Sequence, residues 1–164
     1  MTSTPDKHTV TAAYMGCAAA ATYASLKIAW ALGSTFGVTD PVLFEEFLQS
    51  IGGPLVALWA TVALALMAAA ILLSFVKPWG SRVPQPLRPA LPWMGAIMAP
   101  LGLVGLGQTI VGVIAGHPFE MLAPAIYIAV YACFTVIGSA FAVVAWRTRA
   151  STVTRAATAQ PVAS

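Results

Sequence analysis

Four long stretches of this chain are almost wholly apolar, and short polar segments separate them. The runs cover about 12–33, 54–76, 91–115 and 122–146. At a rise of about 1.5 Å per residue, each is long enough to cross the hydrocarbon core of a bilayer as a helix. Inside lipid the backbone must satisfy its own hydrogen bonds, so helices are the expected form. The pattern predicts an all-α fold: a four-transmembrane-helix bundle over 11–147, after an N-terminal segment 1–10. The Ala/Thr/Ser-rich tail, 148–164, reads as disordered.

The first run is the most dilute, being rich in Ala and interrupted by Thr22, Ser25 and Lys27. A secretory signal peptide is its rival reading, and Gly16-Cys17 hints at a lipoprotein cleavage site. The run continues through Lys27 and Trp30 to Gly33 without a compact Leu-rich core, which favours a span.

The connections differ in character. After the first run, Asp40 is a suitable N-cap and Pro41 suits a first helical position. Leu43, Phe44, Phe47, Leu48 and Ile51 then share one helical face, before Gly52-Gly53-Pro54 breaks the helix. A short amphipathic helix on the outer membrane surface is expected there, as a lid, gate or docking surface. Between the second and third runs, Pro78, Pro84, Pro86, Pro89 and Pro92 predict a stiff, extended segment.

Composition supports membrane residence. Of 164 residues, 59% are hydrophobic and 8% are charged, too few to coat a soluble globule. The mean hydropathy is +0.85. Charge then supplies direction. Of the 8 Lys and Arg residues, all but Lys27 flank the runs on one side: Lys7, Lys77, Arg82, Arg88, Arg147, Arg149 and Arg155. The loops on the other side hold no Lys or Arg, but carry Asp40, Glu45, Glu46 and Glu120. This positive-inside bias predicts an N-in/C-in protein with both termini cytoplasmic. It also accounts for the net charge of +3 without nucleic acid, since no basic stripe is interleaved with aromatics. Trp79, Trp93 and Trp146 fall at inner ends of the runs and Trp30 and Trp59 near outer ends, as an interfacial belt would.

Lipid gives helices no hydrophobic reason to associate, so small residues that allow close approach matter. Gly95, Gly102, Gly105, Gly112 and Gly116 fall on one side of the third run. Ala125, Ala129, Ala132, Thr135 and Ser139 fall on one side of the fourth. These faces are expected to meet each other or a second copy of the chain, with Pro100 kinking the third helix. Cys17 and Cys133 lie in different runs without a C-x-x-C pair and read as small apolar residues.

Lys27 is the one ionisable residue well inside a run, about two helical turns, or roughly 10 Å, from its outer end. A charged group within a span is a candidate functional site by its cost alone. Tyr23 and Trp30 share its face, while Gln108, Thr109, Tyr127 and Tyr131 lie at similar depth on the third and fourth runs. Three readings stand for Lys27. It snorkels to headgroups or pairs with Glu45, Glu46 or Glu120 as a structural lock; it lines a pocket for a small molecule, lipid headgroup or anion; or it acts as a covalent or general-base lysine.

Several chemistries find no support in the residues. No Asp or Glu lies within a run, which disfavours a proton-coupled exporter. His8 and His117 lie outside the runs, so a bis-histidine haem is not expected. No metal-ligand cluster, phosphate-cradling loop or nucleophile–base pair is visible, so no cofactor is implied and catalysis is unsupported.

The segment YASLKIAWALGSTFGV, 23–38, resembles the Trp-Ala-x-Gly-Gly element ending the first helix in a functionally uncharacterised family of small bacterial four-helix membrane proteins. Ser34 departs from it, standing where a second glycine is expected. The resemblance implies a multi-pass protein of the bacterial plasma (inner) membrane and brings no activity. Within the chain, Met15-Gly16 and Met94-Gly95 open the first and third runs alike, which either a duplicated hairpin or chance explains. The functional expectation is a non-enzymatic accessory or structural protein acting through helix contacts, with itself or a membrane-protein partner. The alternative is a small-molecule binding or transport protein with an outer-half pocket around Lys27; a membrane enzyme trails both.

Overall fold

The computed structural model describes residues 6–77 and 90–158, with side chains described over 6–77 and 93–147. The Pro-rich connection falls largely outside the described residues. The described chain is helical, and its one β contact is an isolated bridge. Among the described residues, three helical segments are long and apolar enough to cross a membrane: Leu55–Ser74, Trp93–Ile114 and Pro124–Arg147.

The first helix, α1 (Lys7–Ala31), has the length but not the apolarity of those three, because Ala, Thr and Ser dilute it. It stops on a Schellman motif. Gly33, at φ +89°, donates its N–H to the Trp30 carbonyl, and Ser34 donates to the Ala29 carbonyl. Helix α2 (Pro41–Ser50) follows, with the Asp40 carboxylate accepting from the N–H groups of Val42 at 2.8 Å and Leu43 at 3.1 Å. The next segment opens as a π-helix over Leu55–Ala60 and continues as α3 (Thr61–Ser74). Helix α4 (Ala90–Ile114) runs through Pro100 and ends on a second Schellman motif at Gly116 and His117.

Helix α5 (Pro124–Thr158) runs on past Arg147. It continues as helix well into the stretch read as a disordered tail. The physical reason lies in composition: between Arg147 and Thr158 there is no Gly or Pro to stop it, and Ala and Arg are good helix formers.

The helices alternate in direction. α1 packs on α3 and α5, while α4 has α5 as its one substantial partner. Three layers of buried side chains stack along the bundle. One end holds Ala13, Leu72, Phe141 and Val144; the middle holds Tyr23, Ala24, Val62, Ala65 and Cys133; the other end holds Trp30, Leu48, Leu58, Leu122 and Ile126. At that last end the two loops are joined, with Val38 bridging Leu122, Thr39 N–H donating to the Met121 carbonyl, and Ala123 N–H donating to the Gly37 carbonyl. The acidic residues Asp40, Glu45, Glu46 and Glu120 belong to this end. Lys7 and Arg147 belong to the opposite one, where Arg147 pairs with Asp6 at 3.2 Å.

The glycine face of α4 meets α5 at very short range. A Cβ on Gly95 would come within 3.0 Å of the Ala142 nitrogen and the Gly138 carbonyl oxygen, and one on Gly102 or Gly105 would collide with Thr135 or the Tyr131 ring. The matching face of α5 is therefore Tyr131, Thr135, Gly138 and Ala142. Of the face expected to meet α4 or a second copy of the chain, Thr135 lies in this seam, while Ala125, Ala129 and Ser139 are exposed. Gly116 serves the turn rather than the seam, since nothing lies near its missing Cβ.

Candidate functional site

Lys27 occupies the face of α1 between Tyr23, four residues before it, and Trp30, three after. Its Nζ lies 5.7 Å from the centre of the Tyr23 ring and 5.1 Å from that of Trp30. Helical spacing makes both contacts, since residues at i−4 and i+3 flank a side chain on one face. Both are within cation–π range.

Each ring is fixed by further contacts. Trp30 is buried, donates its Nε1–H to the Phe36 carbonyl at 2.9 Å, and meets Phe44 of α2 edge-on at 5.2 Å. It is thus a core residue, whereas Trp59, Trp93 and Trp146 are exposed. Tyr23 is buried against Phe134 at 5.2 Å, and Phe134 in turn meets Tyr131 at 6.4 Å.

The other candidates do not converge on Lys27. Tyr127 packs against Phe119 at 5.6 Å. The buried Thr109 donates its hydroxyl to the Gly105 carbonyl of its own helix at 2.8 Å. Gln108 lies on the exposed side of α4, with no side-chain hydrogen bond among the described residues. Nor does Lys27 pair with Glu45, Glu46 or Glu120 among the described residues: Glu45 accepts from Gln49 at 2.8 Å, and Glu46 and Glu120 are exposed. The structure therefore unites Tyr23, Lys27 and Trp30, connects Tyr131 to them through Phe134, and leaves Gln108 apart.

Phe44, against Trp30, and Phe134, against Tyr23, complete this aromatic layer; Phe134 carries no sequence signal because an apolar residue in an apolar run does not stand out. The arrangement holds the Lys27 ammonium between two π faces, with no ion pair to it among the described residues. Among the described residues, no group of three His, Cys, Asp or Glu side chains is placed to hold a metal. Cys17 points its Sγ at the Ala69 carbonyl, 3.4 Å away, and Cys133 is buried in the middle layer.

Compared with protein families, with characterised proteins and with solved structures, the chain matches none.

Proposed function

We propose that this chain is a four-crossing membrane protein with both termini cytoplasmic, a non-enzymatic accessory of the bacterial plasma membrane that acts through helix contacts with a second copy of itself. The direction rests on the charge asymmetry between the two ends, and the bacterial membrane on the resemblance of segment 23–38. α1 counts as the fourth crossing because it runs antiparallel beside α3 and α5 for 25 residues.

One observation carries the reading: α4 packs on α5 along its glycine face and leaves the rest of its surface uncovered. Val104, Gly107, Gln108 and Val111 are all exposed on that free side. Lipid suits the valines, but an unpaired amide well inside a span does not suit lipid. The Gln108 amide both donates and accepts, so two copies satisfy it reciprocally across a two-fold axis, and Gly107 permits close approach. Cysteines placed at Val104 or Val111, with Cys17 and Cys133 replaced by Ala, should cross-link between copies in native membranes, and Gln108→Leu should weaken that product. A protein that stays monomeric in bilayer nanodiscs and forms no such cross-link overturns the reading.

A second reading has its own observation, the unpaired ammonium of Lys27 between two aromatic rings. It makes the chain a small-molecule binding or transport protein through its outer half. Native-membrane purification followed by mass spectrometry of copurifying small molecules separates the two, with loss of any bound species in Lys27→Met as its signature.

A further inference from the structure

The opposite end of the molecule holds a feature that neither reading uses. An open cleft of about 570 Å³ lies between the start of α1 and α5, lined by Lys7, His8, Thr11, Ala12, Val143 and Arg147. Residues about 140 apart in the chain form it, so no local motif announces it.

We propose that this cleft binds the phosphate group of an anionic phospholipid. Its polar wall carries two basic side chains, Lys7 and Arg147, together with the imidazole of His8. Ala12 and Val143, about one helical turn nearer mid-bundle than Lys7 and Arg147, supply an apolar wall, as the junction of headgroup and acyl chain requires. Depth agrees: Trp146, 76% exposed beside Arg147, has the amphipathic ring that settles at headgroup level. Basic pockets between transmembrane helices are a recurrent way of holding such headgroups.

Asp6 is the one acid in the arrangement, and it pairs with Nη1 of Arg147 at 3.2 Å. A guanidinium has five N–H donors in a planar fork, so this pair does not exhaust Arg147. Asp6 weakens the site without closing it, while Lys77, 5.9 Å from the Tyr14 ring centre, adds positive field near the same end. Thr11 already donates its hydroxyl to the Lys7 carbonyl at 3.0 Å, so the cations and not the hydroxyl are the phosphate ligands.

The test uses the full chain in a neutral detergent, with thermal stability followed as phosphatidylglycerol, phosphatidylcholine or inorganic phosphate is added. Phosphatidylglycerol should raise the melting temperature well above the effect of phosphatidylcholine. Lys7→Gln and Arg147→Gln should each weaken the apparent affinity about fivefold. Lys7→Arg should retain the effect and Asp6→Asn should enlarge it, which keeps the proposal open to refutation even if Arg147→Gln folds poorly. Equal stabilisation of wild type and Lys7→Gln, or equal shifts from the two lipids, overturns it. A matching shift from inorganic phosphate alone overturns the lipid as its source.

Discussion

Gly102 of α4 lies so close to Thr135 of α5 that a methyl group on it would strike the Thr135 backbone nitrogen and come within 2.8 Å of the Tyr131 carbonyl oxygen. Backbone atoms of a packed helix cannot step aside as a side-chain tip can. The two helices are thus held at a separation that only glycine permits.

Gly102→Ala should therefore destabilise the protein by about 1–3 kcal/mol, the usual cost of overpacking. Gly107→Ala is the paired control, because nothing lies within 4 Å of that missing Cβ. In the monomer it should be neutral or stabilising by up to about 1 kcal/mol, since alanine restricts the unfolded chain more and favours helix. Thermal unfolding of both variants under dissociating detergent conditions checks the contrast. Equal losses would mean that the α4–α5 seam does not set the spacing.

Lys27→Met tests the cation between its two rings. No acidic partner is lost on substitution, and Met fills similar space with favourable sulfur–aromatic contacts. The melting temperature should stay level or rise. A marked fall would show that the ammonium is held by more than Tyr23 and Trp30. Trp30→Phe should by contrast cost about 1 kcal/mol through the hydrogen bond to Phe36 alone, with a further loss from packing against Phe44.

Asp40→Ala removes the two capping bonds to Val42 and Leu43 and should cost about 1 kcal/mol. The loss should be local. Hydrogen exchange in detergent should quicken across Pro41–Ser50, while the amides of α3 and α5 exchange as before. Uniform quickening throughout would mean that α2 is integral to bundle stability and not an add-on cover.

Much of the architecture was legible from local pattern. The amphipathic helix could be read because Asp40, Pro41 and the Gly52-Gly53 break act within a few residues of one another. The small face of α4 could be read because Gly95, Gly102 and Gly105 repeat at helical spacing. Its partner face could not. A search for small residues passes over Tyr131, whose bulky ring belongs in the seam only because Gly105 leaves space for it. The ion pair offered as one reading for Lys27, with Glu45, Glu46 or Glu120, is not made among the described residues, for a similar reason. Trp30 binds the Phe36 carbonyl and the two loops join at Val38 and Leu122, so α2 seats Phe44 and Leu48 on the bundle while Glu45 and Glu46 stay exposed.

By itself, the sequence determined that the described chain would be helical, that apolar segments would have crossing length, and that Tyr23, Lys27 and Trp30 would share a face. Each of these depends on residues within a turn or a single run of one another, where periodicity and propensity act directly. Only the tertiary structure decided which face of α5 receives the α4 glycines, that Gln108 lies outside the aromatic layer, and that Lys7 and Arg147 meet in one cleft. Those are contacts between residues far apart in the chain, selected by the shapes two helices present to each other, and no local pattern encodes a complementary shape.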